Sequence, residues 1–292
     1  MSFGWIPYPQ LPSFPEGAPL AIHPFGLLVA TGIVVGSWLT IRRGVTLGLP
    51  DEKIKSMIFW TLLPAFIVSH VSDVLVYQNH PDVMKTVIAL LDVRTGLSSM
   101  GGFAGAVWGL FFWCRKNHEP VMPYADSLAY GLASGWFLGR MGCFVAHDHP
   151  GERMLPGDPL WSLGVDYPCA EAPCGTRGDD LLHFGAEFRR HDMGLEEALF
   201  AATLATFFLV LGRFRPRQGV FVAAIATLYG PVRLLLDILR VKKGSHADVR
   251  WLGLTPAQYA AVLVTVVGLG LWFFVFSSKN KPVSKSPPET VA

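Results

Sequence analysis

The chain contains 292 residues, of which 51% are hydrophobic and only 16% are charged, and its formal net charge is +2. Charged residues make up about 25% of soluble domains, so this composition argues against a soluble protein and favours a membrane protein. The low net charge gives no electrostatic support to a nucleic-acid partner. The four cysteines lack the C-x-x-C spacing of a zinc finger and do not form a disulfide scaffold.

Seven apolar segments approach the length of about 20 residues that a helix needs to cross a bilayer. In chain order they are Leu20–Ile41, Ile54–Tyr77, Leu97–Cys114, Leu128–Val145, Leu195–Leu211, Gly219–Leu239 and Leu254–Phe276. The sequence therefore predicts an all-α polytopic membrane protein with about seven transmembrane helices. Residues 277–292 are polar and contain prolines, so we expect a disordered tail there.

Glycines recur at every fourth position in three of these segments. They are Gly32 and Gly36, then Gly101, Gly105 and Gly109, then Gly131, Gly135 and Gly139. Spacing of four places the glycines on one face of a helix, where they allow two helix backbones to approach closely. The pattern predicts a tightly packed helix bundle, without indicating any chemistry.

Basic residues are distributed unevenly between the loops on the two sides of the bundle. One side contains most of them: Arg42, Arg43, Lys53, Lys55, Arg115, Lys116, Arg213, Arg215 and Arg217. The other side contains the long segment 146–190, with eight acidic and four basic residues. The positive-inside rule then places the amino terminus and this segment outside, and the carboxyl terminus in the cytoplasm. A single loop opposes this orientation and favours a contact with anionic lipid; its basic residues are Arg240, Lys242, Lys243 and Arg250.

The sixth apolar segment carries a stripe of polar side chains near its end. Tyr229, Arg233, Asp237 and Arg240 lie within about 80° of one another on a helix that turns about 100° per residue. Burying an arginine in hydrocarbon costs at least about 2.5–3.5 kcal/mol, so such a group usually faces a cavity or a partner. Either an Arg233–Asp237 pair joins two helices while Arg240 extends to the interface, or two arginines against one acid hold an anion.

Arg140 lies near the end of the fourth segment, on the side and at the depth expected for Arg233 and Arg240. A guanidinium offers planar, bidentate donors that match a phosphate group. The three arginines therefore predict a binding site for a phospholipid headgroup, or for another anion that enters from that side. The alternative for Arg140 is a side chain that extends to the membrane interface without a ligand.

A short polar group, His147, Asp148 and His149, follows the fourth segment. Three interpretations are open. Two imidazoles and a carboxylate are ligands for a transition metal. An imidazole also titrates near neutral pH, which suits an acid/base role. The third interpretation is a polar turn that ends the helix.

Other polar residues near these segments have structural explanations. Cys143 is expected to pack as a small apolar side chain. Glu196 and Glu197 fall in the first turn of the fifth segment, where acidic side chains suit the positive end of the helix dipole. Cys169 and Cys174 lie in a segment where oxidation is possible, and the sequence leaves a disulfide between them open.

Three motifs, in this order, resemble those of the bacterial prolipoprotein diacylglyceryl transferase family. The family signature G-R-x-G-[NC]-F, followed by an acid and a glycine, matches "GRMGCFVAHDHPG" (139–151). The pattern Y-G-x-x-R-x-x-x-E-x-x-R matches residues 229–240, with Asp237 in place of glutamate. A third segment, "RHDMGLEEAL", has Glu196 where tyrosine is usual. The resemblance covers about residues 24–276.

The resemblance implies an enzyme of the bacterial inner membrane that needs no cofactor and no metal. It would transfer the diacylglyceryl group of phosphatidylglycerol to the lipobox cysteine thiol of a secreted prolipoprotein, and release glycerol phosphate. The transferase domain would be residues 1–276, with an extracytoplasmic head at 146–193 between helices four and five. Residues 277–292 would be a cytoplasmic tail.

The same resemblance implies roles for individual residues. Arg140 and Arg233 would bind the phosphate group. The other residues expected to contact the substrate or to support the mouth of the site are Tyr229, Asp148, Asp237, Arg240 and Gly151.

A single position departs from the family pattern in a way that bears on catalysis. Many members carry a histidine at the start of the third span, a candidate base for the thiol proton, and this chain has Met100 there. A thioether takes up no proton at neutral pH. We therefore hypothesise that His147 or His149 replaces this base. The alternatives are a thiolate that forms without a dedicated base, and a divergent non-catalytic or transport-type protein that binds phospholipid.

Overall fold

The computed structural model describes residues 6–7, 14, 23–78, 82–92, 96–147, 149–155, 157–167, 189–240 and 250–277. The helices among them are α1 (Pro24–Thr46), α2 (Asp51–Ser72), α3 (Val83–Leu91), α4 (Ser99–Lys116), α5 (Val121–Ala146), α6 (Met193–Gly212), α7 (Val220–Ile238) and α8 (Pro256–Phe276). α2 continues as a π-helical turn, Asp73–Tyr77. Asp148, Cys169, Cys174 and the expected tail beyond Ser277 lie outside the described residues.

Within the described residues, five helices are long and apolar enough to cross a membrane: α1, α2 with its extension to Val76, α6, α7 and α8. The protein is therefore a mostly helical, multi-pass membrane protein, as its composition predicts. Helices α4 and α5 coincide with the third and fourth predicted segments but are not among these five. Helix α3 was not predicted, because its nine residues are much shorter than a span.

Helix α1 continues past its predicted end at Ile41, because Arg43 stays inside the bundle. Arg43 was expected in a loop, and that placement is wrong: its Nη2 lies 3.9 Å from Asp126 Oδ2 of α5. Its guanidinium also lies over the ring of Phe221, 4.9 Å from the centroid. Asp126 Oδ1 accepts a hydrogen bond of 2.8 Å from the backbone N–H of Phe221. The Arg43–Asp126 pair therefore joins α1 and α5 to the first turn of α7.

Close helix packing accounts for the repeated glycines. Helix α1 packs along α5 and α2 along α4, while α7 packs along α8, and α5 also contacts α6 and α7. A Cβ atom at Gly131 of α5 would lie 2.2 Å from the carbonyl oxygen of Gly36 in α1, and one at Gly105 of α4 would lie 2.4 Å from that of Pro64 in α2. Gly139 differs, since a Cβ there would meet nothing within 4 Å. The glycine spacing thus predicted the close contacts of α1 with α5 and of α2 with α4, but it did not predict that Gly139 lies away from any neighbouring helix.

A small four-stranded sheet joins the end of α5 to the start of α6. Its strands are β1 (Ile6–Pro7), β2 (Pro150–Arg153), β3 (Val165–Asp166) and β4 (Arg189–Asp192), in the order β1-β3-β4-β2. β1 is parallel to β3, and the other two pairs are antiparallel. Phe144, Val165, Tyr167 and Leu195 pack together beside it. The sheet is an addition to the predicted all-α fold, because strands this short show no hydropathy period.

Candidate functional site

Two arginines and two carboxylates from three helices meet inside the bundle. Arg140 Nε of α5 lies 2.7 Å from Glu197 Oε2 of α6. Arg233 Nη1 of α7 donates a hydrogen bond of 2.6 Å to Glu197 Oε1. Arg233 Nη2 also lies 3.5 Å from Asp237 Oδ1, one turn further along α7. We call these four residues the arginine cluster, and Glu197 is the point at which both arginines converge.

The directions of the three helices explain why these residues meet. Arg140 lies near the end of α5, Arg233 and Asp237 lie near the end of α7, and Glu197 lies near the start of α6. Because the chain turns through the small sheet and returns as α6 beside α5, the start of α6 lies level with the ends of the other two helices. Arg140 and Arg233 therefore occupy the same end of the bundle, as the sequence predicted.

Glu197 is a residue of this candidate site that sequence reasoning missed. Glu196 and Glu197 were both assigned to the helix dipole, but the structure separates them. Glu196 Oε1 lies 2.6 Å from His191 Nδ1, whereas Glu197 binds both arginines. Glu197 lies within an apolar segment, at the same depth as two arginines. Because buried charges are usually paired, this position could have indicated that Glu197 binds the arginines.

The cluster is shielded from solvent and nearly balanced in charge. The exposed fraction of the side chain is 1% for Glu197, 13% for Arg140 and 10% for Arg233. The stripe on α7 suggested two arginines against one acid, but Glu197 supplies a further negative charge. Two guanidinium groups therefore face two carboxylates. Arg240 adds a positive charge just beyond the end of α7, where its backbone N–H donates a hydrogen bond of 3.4 Å to the carbonyl of Asp237.

Tyr229 and Asp237 connect the cluster to its surroundings. The half-buried ring of Tyr229 packs edge to face against Trp136, with the centroids 4.8 Å apart. Asp237 is fully buried, and its Oδ2 accepts a hydrogen bond of 2.7 Å from Thr255 Oγ1. Thr255 caps the amino end of α8. Asp237 therefore holds Arg233 in place from α7 while α8 holds Asp237.

His147 ends α5 and binds the start of α6. It adopts the left-handed conformation, with φ 51°, that commonly ends a helix. Its Nδ1 lies 2.9 Å from Asp192 Oδ2, which also accepts a hydrogen bond of 2.8 Å from Tyr167. Asp192 Oδ1 caps α6 by accepting a hydrogen bond from the backbone N–H of Leu195 at 3.0 Å. His147 thus ends the helix, as in the polar-turn interpretation of this segment, and Asp148 lies outside the described residues.

His149 lies just before β2 and Gly151 lies within it, and β2 is an edge strand of the sheet. The His149 carbonyl accepts a hydrogen bond of 3.1 Å from the backbone N–H of Met193. Gly151 forms an antiparallel bridge with Arg240 just beyond the end of α7. A Cβ at Gly151 would lie 2.6 Å from His191 Cβ and 2.8 Å from the Leu239 carbonyl oxygen. Gly151 is therefore needed for the close approach of β2 to α7.

The half-buried thiol of Cys143 lies beside the cluster, where Arg140 Nη1 donates a long hydrogen bond of 3.8 Å to its Sγ. Its expected role was packing alone, and the structure adds this polar contact. Among the residues that the structure describes, which omit Asp148, no group of three or more His, Cys, Asp or Glu side chains is arranged to hold a metal ion.

Comparisons with known proteins agree with the motifs. The sequence model of the prolipoprotein diacylglyceryl transferase family matches residues 13–274. Similar proteins named phosphatidylglycerol–prolipoprotein diacylglyceryl transferase occur in several bacteria. The Pseudomonas putida protein is 26% identical over 287 residues, or 96% of this chain and 99% of its own length. Those of Wolbachia from Brugia malayi and of Acinetobacter baumannii are 27% and 24% identical, and each covers 89% of this chain and over nine-tenths of its own length.

Proposed function

The chain belongs to the prolipoprotein diacylglyceryl transferase family, and we propose that it catalyses the reaction for which its relatives are named. The diacylglyceryl group of phosphatidylglycerol moves to the lipobox cysteine thiol of a prolipoprotein, and glycerol phosphate leaves. The observation that carries the proposal is the convergence of Arg140 and Arg233 on one buried carboxylate. Two guanidinium groups aimed at the same point can bind the two oxygens of a phosphodiester.

The reaction makes two chemical demands on the site. The thiol must lose its proton, because the thiolate is the nucleophile. The sulfur then attacks the glyceryl carbon that carries the phosphate, and the bond from that carbon to the phosphate oxygen breaks. Its electron pair remains on the oxygen, so the leaving glycerol phosphate gains a negative charge. Arg140 and Arg233 stabilise that charge in a shielded site, where such interactions contribute most to rate.

The remaining site residues support these two arginines. Asp237 and Arg240 form a polar layer beside the phosphate, and Tyr229 and Asp148 order the headgroup. Gly151 allows β2 to lie against the end of α7. Each guanidinium has five N–H donors, so Arg140 and Arg233 can bind an anion while they remain paired with Glu197.

His147 and His149 stay the sequence-based candidates for the group that takes the thiol proton. Replacing both with alanine and measuring full transferase activity would contradict that assignment. The contact of His147 Nδ1 with Asp192 supports a further part for this residue, which is to hold the end of α5 against the start of α6.

We further propose that seven helices cross the membrane, with α4 and α5 added to the five apolar helices. Strands β2, β3 and β4 then belong to an extracytoplasmic head inserted between the fourth and fifth spans, within residues 146–193, and β1 near the amino terminus pairs with β3. The amino terminus lies outside and the carboxyl terminus lies in the cytoplasm, as the distribution of basic residues indicates. The arginine cluster would thus open toward the outer leaflet, where secreted precursors emerge.

Complementation tests the proposed function. In a bacterial strain depleted of its own transferase, we expect this protein to restore the electrophoretic shift of a lipoprotein precursor and to support growth. The Arg140→Ala variant should insert into the membrane equally well and restore neither. A normally inserted wild-type protein that leaves the precursor unmodified would contradict the proposal and favour a lipid-binding protein without transferase activity.

A further inference from the structure

Glu197 already occupies the position at which the two arginines can bind an anion. Its Oε1 accepts a hydrogen bond from Arg233 Nη1, its Oε2 lies 2.7 Å from Arg140 Nε, and its side chain is 1% exposed. A lipid phosphate that binds these arginines must therefore share them with Glu197. The carboxylate and the phosphate lie close together in a site where negative charge is poorly hydrated, and burying unbalanced charge is costly.

The charged and titratable groups around Glu197 come from two other helices. Helix α5 contributes Arg140 and, beside it, Cys143. Helix α7 contributes Tyr229, Arg233, Asp237 and, just beyond its end, Arg240. Arg140 and Arg233 thus pair with Glu197 and Asp237, and Arg240 adds a third positive charge beyond the end of α7. A bound phosphodiester with a single negative charge brings the site to neutrality, and the reaction then adds a second negative charge to the phosphate.

We propose that Glu197 is a further catalytic residue, which accepts the proton of the lipobox thiol as the phosphate becomes more negative. This inference rests on the proposed function. The S–H bond breaks and its proton passes to a carboxylate oxygen of Glu197. The thiolate forms a bond to the glyceryl carbon while the carbon–oxygen bond breaks toward the phosphate. Glu197 then passes its proton to the departing glycerol phosphate, which restores the carboxylate.

Proton transfer to Glu197 keeps the charge of the buried site constant. As the phosphate gains a negative charge, Glu197 loses its own and releases Arg140 and Arg233 to the phosphate. The same two guanidinium groups therefore stabilise first the carboxylate and then the leaving group. In this step Glu197 replaces the sequence-based candidates His147 and His149. His147 Nδ1 instead faces Asp192 at the junction of α5 and α6.

The test compares a cysteine peptide with a selenocysteine peptide of the same lipobox sequence, using the full chain in nanodiscs that contain phosphatidylglycerol. A selenol is already ionised at neutral pH and needs no base. With the cysteine peptide, we expect Glu197→Gln to lower kcat by at least about 100-fold, within the range for loss of a general base. The KM for phosphatidylglycerol should stay equal or fall, because the variant no longer competes for the arginines. The selenocysteine peptide should restore kcat to within about tenfold of the wild-type value.

Matched variants separate proton transfer from a structural role. Glu197→Asp keeps a carboxylate and should retain part of the activity with the cysteine peptide. Glu196→Gln removes the neighbouring buried glutamate, which pairs with His191, and should change kcat by less than about tenfold, equally for both peptides. If Glu197→Gln stays within threefold of wild type, or impairs both peptides equally, Glu197 is not the proton acceptor. Absence of transfer by the wild-type protein would instead overturn the proposed function.

Discussion

The two ends of α5 each carry a buried arginine–carboxylate site, and the sites differ in what their charges can do. Asp126 and Arg140 are separated by about 21 Å along the helix axis. At the amino-terminal end, the side chains of Arg43 and Asp126 are 3% and 0% exposed, and Asp126 also caps α7. At the carboxyl-terminal end, the arginine cluster is slightly open, and its two arginines share one carboxylate. A buried ion pair by itself therefore indicates no function. The arginine cluster differs from the Arg43–Asp126 pair in being partly accessible and in having two arginines that share one carboxylate.

The largest expected difference between the two sites is in catalysis. Arg233→Gln should lower kcat for diacylglyceryl transfer by about 10²–10³-fold or more, the usual loss when a group that stabilises developing charge is removed. Arg43→Gln should leave the activity of the folded protein within a few-fold of wild type, since Arg43 contacts α5 and α7 far from the arginine cluster. Both variants would be assayed in nanodiscs at equal amounts of folded protein. If folded Arg43→Gln loses transferase activity, the Arg43–Asp126 pair is not purely structural.

The next largest effect concerns stability at the Arg43–Asp126 pair. Asp126→Ala removes the cap of α7 and leaves Arg43 buried without its partner, so the free energy of unfolding should fall by about 3–5 kcal/mol. Unfolding in mixed detergent micelles, followed by circular dichroism, would measure it. Adding Arg43→Met should recover part of the loss, because the uncompensated charge is then removed. If the double variant is no more stable than Asp126→Ala, the lost stability comes from the cap of α7 and not from the ion pair.

Two glycines of α5 extend the comparison to the backbone. Gly131→Ala places a Cβ 2.2 Å from the carbonyl oxygen of Gly36, so α1 and α5 must separate at a cost of about 1–3 kcal/mol. Gly139→Ala, next to Arg140, meets nothing within 4 Å and should raise the stability of α5 by up to about 1 kcal/mol. Melting temperatures of the two variants would test this difference. Equal destabilisation would show that the bundle is as tightly packed beside the arginine cluster as beside Asp126.

The smallest effect is expected in the loop before α5. Glu119 binds Lys53 Nζ and accepts a hydrogen bond of 3.2 Å from Tyr124, and the hydrogen bond from Lys53 lowers the pKa of Glu119. Because folding lowers this pKa, the ionised Glu119 side chain stabilises the folded protein. This stabilisation is complete above the ordinary carboxylate pKa of about 4.3 and is lost as the pH falls through the pKa of Glu119 in the folded protein. Glu119→Gln should cost less than about 1 kcal/mol at neutral pH.

Measuring the stability of both proteins from pH 7 to pH 3 would test this surface contact. The difference between wild type and Glu119→Gln should disappear at the acidic end. A loss as large as that of Asp126→Ala would remove the distinction between an exposed ion pair and a buried one.

The sequence predicted the long helices well, but it predicted the helix ends and the strands poorly. Each of the seven apolar segments overlaps a long helix among the residues that the structure describes, since length and hydropathy are local properties. The ends were less accurate: Arg43 looked like the start of a loop, because nothing in its neighbourhood shows that Asp126 lies beside it. The strands of the sheet were missed because each contains only two to four residues, and their partners are far away in the chain.

The sequence by itself determined that this is a multi-pass membrane protein with Arg140 and Arg233 at one end of its bundle. It also contained the motifs of the family, because these depend only on the order and spacing of residues. Only the tertiary structure decided that Glu197 binds both arginines while Glu196 binds His191. Two adjacent glutamates in one helical turn have nearly the same sequence context, and they differ only in the helices that their side chains face.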